Sequence, residues 1–212
     1  MARSKSSQCW LGEHHSDEFV RKARAQNYRS RAVFKLKEID ERDRIFKPAA
    51  NVLDLGAAPG GWSQYALQKV GGRGKVIALD ILEIDPISGV DFIRGDFRED
   101  SVLEKLLEIL AERKMDVILS DMAPNQSGRD EIDQPKSMYL AELALEMVHH
   151  SLAPGGTFLV KLFQGLGFDR YYRDIRQIFR EVVIRKPKAS RARSREIFLL
   201  AKGFKPGQVP PY

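Results

Sequence analysis

Two periods of apolar residues alternate along the chain after residue 50. Residues 51–55, 75–80, 90–94 and 115–121 are short runs rich in Val, Ile, Leu and Phe, the pattern of buried strands. Residues 61–70, about 101–113 and about 137–152 suit helices, and strands at 157–163, 182–184 and 196–201 with a helix at about 169–179 complete the series. Alternation of this kind predicts an α/β fold, a mostly parallel seven-stranded sheet with helices on both faces. Upstream, Ser16 to Ala25 is compatible with a helix, and Val33, Leu36 and Ile39 recur at helical spacing in a second one, with Lys35 at the edge of its apolar face. The charged stretch 129–133 reads as a mobile loop, and Pro154-Gly155-Gly156 as a helix stop. Neither repeats nor a low-complexity linker interrupts the pattern, so a single domain is expected over 31–212. A basic, partly mobile segment is expected over 1–30.

The junction of the first strand and its helix carries the strongest local signal, Val52-Leu-Asp-Leu-Gly-Ala-Ala-Pro-Gly-Gly-Trp62. Glycines at Gly56, Gly60 and Gly61 permit unusual backbone angles and let a ligand approach the main chain. A phosphate-binding loop would place Lys and Ser or Thr after the last glycine, where Trp62-Ser63 stands. The dinucleotide spacing Gly-x-Gly-x-x-Gly also fails, which disfavours a nicotinamide oxidoreductase. Asp54 would repel a pyrophosphate but suits a cationic ligand such as S-adenosylmethionine. Asp80 closes the second strand, where an acid can accept both ribose hydroxyls, and Asp96 follows the third, where it can accept from an adenine amine. Each acid alone can equally be a cap or a turn residue.

Lys161 lies among the apolar residues of Thr157 to Phe163. An unpaired buried ammonium costs on the order of several kcal/mol, so this lysine must either reach an edge or have partners in a cleft. Asp121 ends the fourth strand, and Glu196 opens the last, as an ordinary charged strand end would.

In order along the chain, Asp54 to Trp62, Leu79-Asp80, Gly95-Asp96-Phe97, Ser120-Asp121-Met122-Ala123-Pro124 and Val160-Lys161 resemble the FtsJ (RlmE) family of ribosomal RNA 2′-O-methyltransferases over about Tyr28 to Lys202. The resemblance implies a Rossmann-like fold, S-adenosylmethionine as methyl donor, and methylation of a ribose 2′-hydroxyl, of a uridine, in large-subunit ribosomal RNA. It implies a catalytic tetrad of Lys35, Asp121, Lys161 and Glu196, with Lys161 as base, Asp121 orienting it, Glu196 binding the hydroxyl and Lys35 contributing charge. It further implies cofactor contacts from Gly60, Trp62, Asp80, Asp96 and Asp121, with Gly56 in the same turn. A free lysine, pKa about 10.4, is neutral in roughly one molecule in a few thousand at pH 7, so a lysine base needs surroundings that disfavour its charge.

Charge adds the partner. The net charge is +6, but residues 1–47 contribute +5 and residues 185–195 contribute +6, leaving −5 on the other 154. A fold joining those two stretches presents a basic face beside an acidic cleft, suited to a polyanion. Arg31, Lys186, Lys188, Arg191 and Arg193 are the candidate phosphate contacts on RNA, free or within an assembled subunit. With 43% hydrophobic and 30% charged residues, no bilayer-length apolar run and one cysteine, Cys9, the expectation is a cytoplasmic protein without a membrane partner, working as a monomer. The pairs His14-His15 and His149-His150 cannot share one face of a helix, and no metal site is expected. Rival readings are 2′-O-methylation of transfer RNA or of a messenger cap, and an RNA-binding assembly factor without turnover.

Overall fold

The computed structural model describes residues 17–111, 113–124, 127–191 and 194–207. Arg193, Cys9 and the His14-His15 pair lie outside the described residues. The elements in chain order are α1 (Glu18–Ala25), α2 (Val33–Asp43), β1 (Asn51–Leu55), α3 (Gly61–Val70), β2 (Lys75–Asp80), β3 (Val90–Arg94) and α4 (Asp100–Ala111). They continue with β4 (Met115–Ser120), α5 (Asp130–Ser151), β5 (Leu152–Phe163), α6 (Phe168–Ile178), β6 (Phe179–Arg185) and β7 (Glu196–Phe204). All seven strands form one sheet in the order β3-β2-β1-β4-β5-β7-β6. The first five in that order run parallel, and β7 is antiparallel to both β5 and β6.

Two-residue alternation along the central strands divides the core in two. Leu53, Leu55, Ile77, Leu79, Phe158, Val160 and Leu162 face one layer, which α4, α5 and α6 cover with residues such as Leu106, Met147 and Ile175. Val52, Val76, Val117, Leu119, Leu159, Phe198 and Leu200 face the other, covered by α2 and α3 through Leu36, Ile39, Trp62 and Tyr65. Phe158 and Phe198, one on each side, are fully buried, and each stabilises the fold by about 1.5–3 kcal/mol relative to exposure. The same alternation sends Asp54, Lys161 and Glu196 toward the α2/α3 layer.

That layer is fixed by a buried acid. Asp40, near the end of α2, accepts from the Ile45 amide at 2.9 Å and the Tyr65 hydroxyl at 2.8 Å, holding α2 against α3 and so setting where Lys35 stands. Residues 17–30 pack onto this layer too, so a boundary at residue 30 cuts through packed structure. Asp17 caps α1 by accepting from the Phe19 amide at 2.9 Å, Val20 and Ala23 are buried, and the Phe19 and Phe34 rings lie 5.6 Å apart.

Two stretches differ from expectation. The charged segment from Asp130 is the start of α5, not a loop. Asp133 accepts from the Ser127 amide at 2.9 Å, the Ser127 hydroxyl at 2.8 Å and the Gly128 amide at 3.0 Å, tying the helix to the preceding turn. Pro135 sits inside α5 and removes just one N–H from the helix ladder, so the breaker signal is real but weak in this early turn. Second, β5 starts at Leu152. Met115 pairs Leu152 and Val117 pairs Thr157, so Ala153 to Gly156 bulge outward from a continuing strand rather than ending the pairing.

Candidate active site

After β3 the chain returns to the other side of β1 with β4, so the strand order switches between β1 and β4, the place where open α/β sheets bind ligands beyond their carboxyl ends. A cleft of about 530 Å³ lies there, bounded by the turns after four strands: Gly56 after β1, Asp80 at the end of β2, Asp96 after β3 and Asp121 after β4. Its remaining wall is Lys136, Tyr139, Leu140 and Leu143, one stripe of α5 at helical spacing. That stripe went unnoticed in the sequence because half of it is polar.

Gly56 adopts φ +75, and a Cβ there would stand 2.7 Å from Met122 Cγ, so the turn closes only with glycine. Asp80 accepts from the Ala58 amide through one oxygen and the Leu82 amide through the other, both at 2.8 Å, joining the glycine loop to the turn after β2. Each oxygen keeps a second lone pair for a hydroxyl donor. Asp96 is held by Arg98, whose guanidinium bonds both carboxylate oxygens and lowers the carboxyl below its ordinary pKa. An adenine amine at Asp96 would share that carboxylate with Arg98. Gly60 and Trp62 do not line the cleft. Gly60 caps α3 with φ +102, and the Trp62 indole is buried on the α2 side, donating to the Ala32 carbonyl at 2.9 Å and lying 5.8 Å from the Phe198 ring. The tryptophan ring therefore belongs to the packing of α3 against α2 and not to the cleft.

Beneath the glycine loop, Asp54 is fully buried. Its Oδ2 accepts from the Ser63 hydroxyl at 2.6 Å, while Oδ1 has no partner among the described residues. Burial pushes this carboxyl up to about 7, with the charges of Asp121 and Asp80 adding to the rise and the Ser63 hydrogen bond opposing it.

Beside the cleft, four groups converge. Lys161 is 8% exposed; its ammonium donates to the Asp121 carbonyl at 2.5 Å and lies 2.9 Å from Asp121 Oδ1. The second contact is close enough for an ion pair but off-angle for a hydrogen bond, so Oδ1 retains acceptor capacity. Glu196 is also 8% exposed; its Oε2 accepts from the Lys35 ammonium at 2.7 Å and its Oε1 from the Ser190 hydroxyl at 2.7 Å. Because β7 runs antiparallel, its first residue lies at the edge where the parallel strands end, and Glu196 pairs Phe163, two residues beyond Lys161. Burial pushes the Glu196 carboxyl up, but the Lys35 charge and hydrogen bond, the Ser190 hydroxyl and the Lys161 charge together hold it below its ordinary value. It is therefore a carboxylate at neutral pH. Ser190 is a residue the sequence did not mark, since its role depends on how the 186–195 loop closes.

The candidate phosphate contacts divide. Arg31 bonds the Asp17 carboxylate and the Ala189 carbonyl, and Lys186 donates to the Ser194 carbonyl and, at 2.6 Å, to that of Glu196. Both tie the basic loop down, Arg31 while partly buried and Lys186 while exposed. Lys188 is exposed and Arg191 partly so.

Residues 28–204 match the family profile described as FtsJ-like methyltransferase. The chain belongs to this family. A Plasmodium falciparum protein described as a ribosomal RNA methyltransferase is 34% identical, with TM-score 0.74, over 84% of this chain and 98% of that one. A Clostridium thermocellum protein described as an rRNA methylase shares the fold at TM-score 0.54 and 16% identity, over 80% of this chain and 97% of that one. Membership makes the protein a methyltransferase with a Rossmann-like fold and implies S-adenosylmethionine as methyl donor. The cleft of this FtsJ-like methyltransferase fits that molecule. It falls within the roughly 300–1,000 Å³ of small-ligand sites, its carboxylates suit a ligand bearing an ammonium and a sulfonium, and Leu79, Phe97 and Leu143 offer an apolar wall to a purine.

Proposed function

We propose that this methyltransferase modifies the 2′-hydroxyl of a ribose in RNA, with large-subunit ribosomal RNA as substrate and a uridine as acceptor. The observation that supports it is a pair of ion pairs at the sheet edge, Lys35 with Glu196 at 2.7 Å and Lys161 with Asp121 at 2.9 Å, with Glu196 also feeling the Lys161 charge and Asp121 lining the donor cleft. The family and the description of the Plasmodium falciparum relative support the ribosomal substrate. So does the basic loop over 185–195, whose Lys188 and Arg191 meet phosphates without reading bases.

S-adenosylmethionine supplies, when bound, a methyl group on a sulfonium. Asp80 holds the donor's ribose, and Asp121, in the wall of the cleft, faces its ammonium. Glu196, as a carboxylate, accepts the hydrogen bond of the acceptor hydroxyl as the ribose enters and aims its oxygen, before that one proton turns to Lys161. Lys35 keeps Glu196 ionised. Lys161 Nζ, in its neutral form, takes the hydroxyl proton as the oxygen becomes the nucleophile, and Asp121 fixes where that nitrogen stands. Positioning of the two reactants supplies much of the acceleration.

Mapping of 2′-O-methyl groups in ribosomal RNA from cells with and without the protein, followed by methylation of the unmodified RNA or subunit in vitro, tests the reading. One ribose should lose its methyl in the deletion and regain it with the purified protein. An unchanged map would refute the ribosomal assignment, and methyl incorporation into a base would refute the ribose assignment.

A further inference from the structure

The tetrad lies on a recessed floor, with Lys161 and Glu196 each 8% exposed. A ribose within a stacked duplex cannot descend that far, so the acceptor nucleotide must arrive single-stranded or swung out of its stack. Its base then needs a place. In a nucleotide the 2′-oxygen and the glycosidic nitrogen are borne by adjacent ribose carbons, so whatever holds the base must touch the groups that hold the hydroxyl.

One cavity is walled by chain neighbours of those groups. A pocket of about 210 Å³ is bounded by Pro124, Asp133, Gln134, Phe163, Ser194 and Arg195, among others. Three of its walls are next to tetrad residues along the chain: Pro124 three residues after Asp121, Phe163 two after Lys161, and Arg195 one before Glu196. Pro124 also borders the donor cleft, so the pocket adjoins that cleft. The pocket is smaller than the roughly 300–1,000 Å³ of sites for drug-sized ligands, the scale of one ring system and not of a whole nucleotide. Its walls suit an uncharged heterocycle. Phe163 offers a ring for stacking, and Asp133 and Arg195 contribute opposite charges. The Gln134 amide donates to the Phe163 carbonyl at 3.3 Å and carries a further N–H and a carbonyl oxygen suited to the edge of a base. A phosphate would meet the Asp133 carboxylate.

We propose that this pocket is the subsite for the base of the acceptor nucleotide, held out of its RNA stack while the ribose lies over the tetrad. The assignment rests on the ribose 2′-hydroxyl reading above.

The test is a cycle between protein and substrate. Once the acceptor position is mapped, full-length wild type, Phe163→Ala and Gln134→Ala are assayed on RNA with the normal acceptor and on RNA lacking only the base there, its 2′-hydroxyl kept. Affinity for S-adenosylhomocysteine, measured by calorimetry, should stay within about twofold in all variants, which also establishes that they fold. Phe163→Ala should lower kcat/KM on normal RNA at least roughly tenfold, the scale of one lost base-stacking contact. Removing the base should cost wild type a similar factor and cost Phe163→Ala little more, because the two losses remove the same contact. Losses that simply multiply would overturn the proposal, as would full activity of both variants on normal RNA. If wild type places no methyl on a ribose, the broader reading has failed, and the subsite with it.

Discussion

The donor cleft and the tetrad share one sheet edge but are assembled differently. Each wall of the donor cleft that carries an acid is the end of a strand or the turn just after it, so ladder spacing sets the positions of Asp80, Asp96 and Asp121. Two of these charges are met locally, Asp80 by two backbone amides and Asp96 by Arg98 two residues away. The tetrad is assembled across the chain. Lys35 and Glu196 are 161 residues apart, Lys161 and Asp121 are 40 apart, and Glu196 reaches this edge through the reversed direction of β7. A group removed from the donor side leaves amides that water can reach, whereas a group removed from the tetrad leaves a recessed opposite charge unpaired. Changes on the two sides should therefore separate into donor binding and chemistry.

The largest break should come at Lys161. Lys161→Ala is expected to lower kcat by about 10²–10⁴-fold, the usual worth of a positioned general base, while donor affinity stays within a few-fold. Single-turnover methylation together with calorimetry of S-adenosylhomocysteine checks both halves. Full activity in the variant would remove Lys161 as the base.

Asp80→Ala should do the reverse. Losing charge-assisted hydrogen bonds to the donor should weaken its binding by roughly tenfold to a hundredfold, with kcat at saturating donor reduced far less. A kcat loss as large as that of Lys161→Ala would mean that the two halves are not separable.

How much of this was legible follows the same division. The donor side announced itself because its acids sit at fixed offsets from apolar strands and a glycine turn, local patterns that survive without knowing the fold. Lys161 stood out because an ammonium amid apolar neighbours demands partners. Lys35 and Glu196 carried no mark of their own; only the resemblance joined them, since their meeting depends on strand order and on the direction of β7. Other contacts had no local signal: the Trp62 ring belongs to the core, and Arg31 and Lys186 donate to backbone carbonyls of the basic loop. The start of α5 was hidden by a run of charges and by Pro135, while Asp133 supplies the tie that holds it.

Asp54 tests the border between the halves. It lies under the donor loop, feels the charges of Asp80 and Asp121, and has a carboxyl raised to about 7. An acid whose folded pKa exceeds its unfolded value binds more protons in the native state, so it makes stability fall as pH rises from about 4 to about 7, with no further loss above that. Thermal unfolding of Asp54→Asn against wild type should show the variant gaining relative stability across that window, by at most about 1.4 kcal/mol per pH unit, with parallel curves above pH 7. The amide oxygen can still accept from Ser63, which keeps the loop in place.

The smallest expected effect is the sharpest probe of the tetrad's coupling. Ser190→Ala removes the 2.7 Å hydrogen bond to Glu196 Oε1 but no charge, and Lys35 still holds the other oxygen. If Glu196 acts as an aimed carboxylate, kcat should fall about threefold to tenfold, the rate equivalent of about 1 kcal/mol, with donor affinity unchanged. Ser190→Thr, which keeps a hydroxyl, should recover most of the loss. A Ser190→Ala enzyme as fast as wild type would show that Lys35 alone orients Glu196, while a change in donor affinity would show that the loop over 186–195 reaches across into the cleft.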